Sequence, residues 1–191
     1  MIITISGKPG SGKSTVAKLV ANKLGFRHYS VGDLMGEMAR KKGMKLEQLG
    51  EIAKKESWVD NELDEYQKKL GETEDNVVID SRIGFYFIPH SVKILLDVDL
   101  KEGSKRIFND QRSDEESRKT AEDMLKAVKK RMELEKERYK KYYNIDYQDS
   151  GNFDYVIDTT HITAEQVSEK IVRFIKTRIA EGVKNVLKNN H

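Results

Sequence analysis

The chain has 191 residues and a formal net charge of only +3, with 35 lysines and arginines against 32 aspartates and glutamates. This length suits a single domain with one core, and the weak, interspersed charge argues against a nucleic-acid polymer or a membrane as a partner. The absence of cysteine excludes disulfides, thiolate metal sites and a thiol nucleophile, and because we find neither a signal peptide nor a membrane-spanning apolar run, we expect a cytoplasmic protein.

Short runs rich in valine and isoleucine alternate along the chain with segments of helical periodicity. Strands are predicted at 1–6, 28–31, 76–80, 92–98 and 153–158. Most of these runs are almost continuously apolar, as expected for strands that are buried on both faces. Helices are predicted after the first strand, with Gly25 as the C-cap, and then at 33–42, 45–70 with breaks, 101–111, 118–143 and 163–181. This alternation predicts an α/β fold in which helices cover a parallel five-stranded sheet.

The stretch GKPGSGKS at residues 7–14 lies directly between the first strand and the first helix and matches the pattern GxxxxGK[ST]. Its glycines let several backbone N–H groups point at one phosphate, and the helix N-terminus adds unpaired amides and a positive dipole end. We predict a P-loop in which Lys13 contacts the β- and γ-phosphates and Ser14 ligates Mg²⁺. The alternative is a glycine-rich turn that binds nothing. The predicted nucleotide-binding residues are Gly7, Lys8, Pro9, Gly10, Ser11, Gly12, Lys13, Ser14 and Thr15.

Three predicted strands end in a carboxylate that could be a second magnesium anchor, namely Asp80, Asp97 and Asp158. We prefer Asp80, because its strand is the next strong one after the P-loop helix and Arg82 follows two residues later. The alternative is an aspartate that merely caps the following turn, and it applies more strongly to the other two. We find neither the NKxD-like motif of a GTPase nor the longer chain of a ring ATPase.

The predicted helix 118–143 carries a carboxylate inside an apolar stripe. At about 100° per residue, Glu135 lies in the middle of an arc formed by Ala121, Met124, Leu125, Val128, Met132, Tyr139 and Tyr142. Arg131 and Arg138 lie at the edge of this arc on neighbouring turns. Because a carboxylate in an apolar stripe is costly unless it is paired, two interpretations stay open. The residues form a solvated Arg-Glu-Arg ladder, or the arginines hold phosphates while Glu135 orients one of them or contacts the substrate.

Together these motifs resemble the cytidylate kinases of the nucleoside monophosphate kinase superfamily. The resemblance covers nearly the whole chain and rests, beyond the P-loop, on YSVGDLM (29–35), IDSR (79–82), RMELEKER (131–138) and VIDTTHIT (156–163). These are similar to the start of the monophosphate-binding helix, an acid-Gly-Arg turn, two arginines with an acid between them, and the closing strand and turn.

The resemblance implies a single P-loop kinase domain over residues 1–191, with the three-layer fold of P-loop nucleoside triphosphate hydrolases. It implies a monophosphate-binding helical insertion at about 33–70 and a short lid at about 106–120. ATP, Mg²⁺ and CMP or dCMP are the implied ligands of a monomeric enzyme, which would transfer the γ-phosphoryl group to the monophosphate.

Roles for individual residues also come from the resemblance. Arg82 and Arg138 would hold the monophosphate, and Arg131 would meet the transferring phosphoryl group. Asp80 would lie beside the magnesium and the acceptor phosphate, and Glu135 would contact the substrate. Further contacts to the acceptor are expected from Gly32, Asp33 and Arg40, and to ATP from the lid residues Arg106 and Arg112.

The sequence departs from the family pattern at two positions. Ser81 stands where the family often has glycine, and Gly36 stands where monophosphate kinases usually have an arginine that faces the acceptor phosphate. Arg40, one turn later, could supply that charge. Three hypotheses follow: a kinase for CMP or dCMP, a kinase for AMP, another nucleotide or a small molecule, and a P-loop protein that binds nucleotides without transfer.

Overall fold

The computed structural model describes residues 1–110 and 118–189, the last eight of them by their backbone alone. The strands are β1 (Ile2–Gly7), β2 (Arg27–Ser30), β3 (Val77–Asp80), β4 (Val92–Asp97) and β5 (Tyr155–Asp158). The helices are α1 (Lys13–Leu24), α2 (Val31–Lys41), α3 (Leu46–Lys55), α4 (Trp58–Thr73), α5 (Gly84–Phe87), α6 (Leu100–Asn109), α7 (Ala121–Tyr143) and α8 (Ala164–Asn189), with a 3₁₀ turn at Ser150–Asn152. The predicted strands and helices are confirmed, whereas α5 and the 3₁₀ turn were not predicted.

The strands form one parallel sheet in the order β2-β3-β1-β4-β5, which confirms the predicted fold class. From the central β1 the chain passes to the edge strand β2, returns to β3, and then crosses to β4 and β5 on the other side of β1, so the strand order reverses beside β1. In open α/β sheets, ligands bind in the crevice that such a reversal leaves beyond the carboxyl ends of the strands. The register pairs Ile5 with Asp80 and Gly7 with Leu96, which brings the P-loop and the predicted magnesium acid to the same edge.

Each face of the sheet carries its own apolar core, because every residue of β1 is buried. One core joins β1 and β4 to α1 and α8 and includes Ile3, Ile5, Val16, Val20, Ile94, Leu96, Ile171 and Ile175. The other joins β3 to the predicted insertion, α2 to α4, and includes Leu49, Val59, Leu63, Ile79 and Ile88. The insertion therefore shares the core of the sheet. Within the described ranges, no helix has the length and apolar character needed to cross a membrane.

The P-loop contacts α6 backbone to backbone. Gly10 has a φ of +78°, and a Cβ atom placed on it would overlap the carbonyl group of Gly103 in α6. In the other direction, a Cβ atom on Gly103 would lie 2.7 Å from the carbonyl oxygen of Pro9. Both segments contact each other through backbone atoms, so neither can move aside as a flexible side chain would. α6 therefore supports the phosphate-binding turn from behind.

This contact predicts opposite effects for two glycine-to-alanine changes inside helices. Gly103→Ala should lower the free energy of unfolding by about 1–3 kcal/mol, because the new methyl group displaces the P-loop backbone. Gly50→Ala in α3 should be neutral or raise it by up to about 1 kcal/mol, because nothing lies within 4 Å of its Cβ position. Urea unfolding of both variants tests this, and equal effects at the two positions would contradict the close contact.

Candidate active site

A cleft of about 610 Å³ opens beyond the carboxyl ends of β1 and β3. Seven of the nine predicted nucleotide-binding residues line it: Lys8, Pro9, Gly10, Gly12, Lys13, Ser14 and Thr15. The other two lie behind the turn. The backbone N–H of Ser11 donates to the carbonyl of Lys8 at 3.1 Å, and the carbonyl of Gly7 accepts a hydrogen bond from Arg82. The predicted P-loop therefore has one face open to a ligand and one face fixed to the fold.

Lys13 forms an ion pair with Asp80, whose side chain is fully buried at the end of β3. Burial and the guanidinium groups of Arg82 and Arg131 lower the pKa of Lys13, while the contact with Asp80 favours its charged form. Removal of the lysine alone would strand a buried carboxylate, so Lys13 contributes to stability as well as to the site. Lys13 itself lines the cleft, whereas Asp80 does not line it.

The other two candidate magnesium acids are engaged elsewhere. Asp97 pairs with Lys8 at 2.5 Å, and Asp158 accepts hydrogen bonds from the backbone and the hydroxyl of Thr160. No group of three or more acidic or histidine side chains in the described part of the chain could hold a metal by itself. The Ser14 hydroxyl in the cleft nevertheless fits Mg²⁺, which typically takes one or two protein ligands and completes its shell with substrate phosphates and water. Asp80 would act on such an ion from behind Lys13.

Glu135 is the buried centre of an arginine network. Its Oε2 accepts from Nε of Arg82 at 3.0 Å and its Oε1 from Nε of Arg131 at 3.1 Å. The hydroxyl of Tyr147 donates to Oε2 at 3.2 Å. Burial would raise the pKa of Glu135, but the guanidinium groups of Arg82, Arg131 and Arg138 lower it to about 2. The carboxylate is therefore ionised at neutral pH, where it fixes two arginines from different elements.

Arg138 is buried and finds its partner on another helix. Its Nε lies 3.5 Å from Oδ1 of Asp60 in α4, and its Nη2 donates to the hydroxyl of Tyr139 at 3.1 Å. Only 8% of Glu135 and 7% of Arg138 are exposed, so the interpretation of a solvated ladder is wrong for these two residues. The pair of Arg131 with Glu135 does have the i, i+4 spacing of that ladder, but its carboxylate is buried and shared with Arg82.

The cleft has further polar residues that were not predicted to belong to the site. These are Asp60, Asp64 and Gln67 of α4, together with Ser81 after β3. Ser81 donates a hydrogen bond to the side-chain oxygen of Gln67, so the serine that departs from the family pattern is anchored in α4. A signal was present in the sequence, because positions 60, 64 and 67 share a helix face with the apolar Leu63.

The predicted acceptor residues of α2 are only partly brought to the cleft. Gly32 lines it. Asp33 is exposed and its backbone N–H donates to the N-cap hydroxyl of Ser30 at 3.1 Å. Arg40 is exposed and is not among the described residues that line the cleft. Gly36 is buried in the helix, so the geometry gives no support to a replacement of the missing arginine by Arg40.

Arg106 lines the cleft from α6. Its Nη2 donates to the carbonyl oxygens of Thr159 and Thr160 at 2.9 and 2.8 Å, and its Nε pairs with Glu102 at 3.3 Å. These contacts tie α6 to the turn after β5, beside the P-loop. Arg112, the other predicted lid residue, lies outside the described residues.

A second, smaller cavity of about 230 Å³ lies between α3 and α7. It shares five residues with the cleft: Met35, Ile107, Arg131, Glu135 and Arg138. The two helices are also joined by ion pairs of Glu51 with Lys130 at 2.8 Å and of Lys54 with Glu137 at 2.6 Å. The predicted insertion therefore borders the end of the cleft that contains the arginines.

Known proteins resemble this chain in sequence over most of its length. A family model described as the cytidylate kinase-like family matches residues 2–161. The chain is 35% identical to a cytidylate kinase of Archaeoglobus fulgidus, over 93% of this chain and 96% of that protein. It is 38% identical to a cytidylate kinase of Methanocella arvoryzae, over 92% and 97% of the two chains.

The chain is also 36% identical to an S-adenosylmethionine-dependent nucleotide dehydratase of Lacinutrix mariniflava, over 89% of this chain but only 35% of that longer protein. Among solved structures, a shikimate kinase of Bacteroides thetaiotaomicron has a TM-score of 0.63 at 14% identity, over 92% of this chain and 98% of that one. The shikimate kinase of Acinetobacter baumannii has a TM-score of 0.61 at 18% identity, over 93% of each chain. At such identities the likeness of the solved structures concerns the fold alone.

The Glu135 network predicts a pH-dependent loss of stability in Glu135→Gln. At pH 7 the variant should be less stable by about 3 kcal/mol, since a buried ion pair loses one partner. The pKa of Glu135 in the folded protein, about 2, lies below its ordinary value of 4.5. Its contribution is therefore complete above pH 4.5 and is lost as the pH falls through 2. Urea unfolding at several pH values should show the difference from wild type shrinking across this window.

Glu137→Gln is the matched control, because Glu137 lies on the same helix with its side chain 61% exposed. It should change the stability little at any of these pH values. A loss in Glu135→Gln that stays constant down to pH 2, or that Glu137→Gln reproduces, would show that the carboxylate does not hold the arginines.

Proposed function

The chain belongs to the cytidylate kinase-like family and is a nucleoside monophosphate kinase, and we propose that it transfers the γ-phosphoryl group of ATP to CMP or dCMP with the help of Mg²⁺. The products are ADP and CDP or dCDP. The observation that carries this proposal is the convergence of Lys13, Arg82, Arg131 and Arg138 on one cleft. Four cationic groups in one crevice suit the phosphates of a donor and an acceptor together.

On the donor side, the P-loop amides and Lys13 hold the phosphates of ATP. Ser14 holds Mg²⁺, which supplies positive charge to the donor phosphates when it is bound. Lys13 leaves or shares its contact with Asp80 to reach the β- and γ-phosphates. Arg106, fixed to the turn after β5, borders the nucleotide beside the P-loop. The lid predicted at about 106–120 is part of this proposed ATP site.

On the acceptor side, Arg82 and Arg138 hold the monophosphate. Arg82 suits this role because contacts to Glu135 and to the carbonyl of Gly7 fix its orientation. Arg138 is fixed by Asp60. A guanidinium held in place loses little further entropy when it binds a phosphate, and its planar fork can contact two oxygens at once. The insertion α2 to α4 encloses the nucleoside.

The transfer itself needs charge and position more than acid–base chemistry. An oxygen of the acceptor phosphate forms a bond to the γ-phosphorus as the bond from that phosphorus to the bridging oxygen of ADP breaks. The acceptor oxygen is already ionised, so no side chain has to remove a proton. Arg131, which lies at the edge of the cleft with 37% of its side chain exposed, meets the transferring group and stabilises its equatorial oxygens.

An alternative acceptor in place of CMP or dCMP stays part of the proposal. Gly36 is buried and Arg40 does not line the cleft, so one phosphate contact expected for monophosphate kinases is missing from α2. This observation favours tests with AMP and other nucleotides beside CMP. A cytoplasmic location and a monomeric state remain predictions.

The proposed reaction is tested by a coupled assay with ATP and a panel of CMP, dCMP, UMP, AMP, GMP and TMP. We expect CMP to have a higher kcat/KM than AMP, GMP and TMP, and all turnover to stop when a chelator removes Mg²⁺. A preference for AMP would contradict the cytidylate assignment and leave the kinase chemistry intact. Full turnover in chelator would contradict the role of Mg²⁺.

We predict that removal of the Arg131 guanidinium lowers the rate of phosphoryl transfer and leaves the protein folded. Arg131→Ala should lower kcat at saturating substrates by about 10³, as the loss of an arginine that contacts the transferring phosphoryl group does. Arg131→Lys should recover little of this rate, since a point charge does not replace a bidentate fork. Steady-state kinetics beside melting temperatures give the measurement.

Lys130→Ala is the control for Arg131, because it removes the neighbouring cation, whose side chain is 70% exposed and pairs with Glu51. Its kcat should stay within about twofold of wild type, as expected for an exposed ion pair that does not line the cleft. If Arg131→Ala behaves like Lys130→Ala, the arginine makes only a structural contact with Glu135.

A further inference from the structure

The end of the cleft away from the P-loop combines apolar walls with polar groups from a single helix. Leu63, Ile83 and Tyr139 supply apolar surface there. The polar groups are the three α4 residues at i, i+4 and i+7, which are exposed to only 4%, 9% and 1%: Asp60, Asp64 and Gln67. Small-molecule pockets usually combine apolar walls with a few fixed polar groups that orient the ligand. This end of the cleft therefore suits a flat ring with polar groups at its edge.

Two of the three α4 groups have protein partners, although Oδ2 of Asp60 makes no hydrogen bond with a described residue. Asp60 pairs with Arg138. The side-chain oxygen of Gln67 accepts from Ser81, and its Nε2 donates to the carbonyl of Leu63 at 3.2 Å. These contacts give Asp60 the role of positioning an arginine and Gln67 the role of joining α4 to the end of β3.

Asp64 is different, because no cation in the described part of the chain forms a direct ion pair with it. The hydroxyl of Tyr143 donates to its Oδ2 at 2.7 Å, but no lysine, arginine or histidine in the described ranges lies within ion-pair distance. Burial raises its pKa to about 6, although the Tyr143 hydrogen bond and the more distant charges of Lys68 and Arg138 lower it. A buried carboxylate without a direct ion pair costs stability. Its position in the cleft therefore indicates a contact with the ligand.

The chemistry of a carboxylate restricts which ligand it can serve. An ionised carboxylate only accepts hydrogen bonds. Cytosine carries an exocyclic amino group, a donor, where uracil carries a carbonyl oxygen, an acceptor. Uracil at this position would set two acceptors against each other and leave a buried polar group unpaired, the arrangement that discriminates most strongly between similar substrates.

We propose that Asp64 selects the acceptor by accepting a hydrogen bond from the exocyclic amino group of its base, so that the site favours cytosine over uracil. This inference rests on the proposed function and names the residue that reads the base. Adenine presents the same amino group, so Asp64 separates amino-bearing bases from uracil, and the size of the pocket has to separate cytosine from adenine. Tyr143 acts as a positioning residue that holds the carboxylate.

The test compares kcat/KM for CMP and UMP in wild type and Asp64→Asn at pH 8, where the carboxylate is ionised. The asparagine keeps an oxygen for Tyr143 and replaces the other oxygen by a donor. We expect the preference for CMP to fall by about 10-fold or more, mainly through a lower kcat/KM for CMP. Glu65→Gln, the exposed neighbour on the same helix, should keep the wild-type ratio.

A substrate-side measurement covers the case in which Asp64→Asn does not fold. Wild type is assayed with the CMP analogue that carries hydrogen in place of the 4-amino group. Its kcat/KM should be at least about 10-fold lower than that of CMP. A folded Asp64→Asn with an unchanged CMP-to-UMP ratio, or equal use of CMP and its deamino analogue, would overturn the inference while CMP kinase activity stands. Failure of wild type to phosphorylate any monophosphate would overturn both proposals.

Discussion

The buried carboxylate of Glu135 is the interaction on which the rest of the site depends. Lys13, Arg82, Arg131 and Arg138 all line one cleft, and like charges in a partly desolvated crevice repel one another strongly. Glu135 offsets this repulsion, and its two oxygens fix arginines that come from the end of β3 and from α7. A single carboxylate thus joins the sheet to the long helix through Arg82 and Arg131.

The fold supplies the rigid frame for this charge cluster. Parallel pairing of β1 with β3 sets the P-loop beside Asp80 and Arg82, and Arg82 donates back to the carbonyl of Gly7 at the end of β1. α6 supports the P-loop through the close backbone contact of Gly103 with Pro9 and Gly10. α4 contributes Asp60 to Arg138 and Gln67 to Ser81. Lys13, Arg82 and Arg138 are therefore each held by a contact from another part of the fold, which is how a site keeps its geometry.

Local signals in the sequence predicted the frame well, and nonlocal contacts limited the prediction of the site. The P-loop, the parallel strands and the Gly25 C-cap follow from patterns of a few residues, and even the short polar β2 is confirmed as a strand, which pairs with β3. The exposure of Glu135 and Arg138 depends on how α4 and α7 pack, so helical spacing alone could not exclude a solvated ladder. Asp60 and Asp64 were missed because no local pattern in the helical segment 45–70 shows which of its faces borders the cleft. The partner of Arg138 is 78 residues away in sequence, where no local pattern reaches.

The central claim is that one cleft holds donor and acceptor phosphates together between the P-loop and the arginines. The most direct test is the dissociation constant of an analogue that joins adenosine and cytidine through a chain of phosphates, compared with those of ATP and CMP alone. We predict that the joined analogue binds wild type at least about 10²-fold more tightly than either nucleotide, because binding at one end raises the effective concentration at the other. An analogue that binds no more tightly than the better of the two nucleotides would contradict a shared cleft.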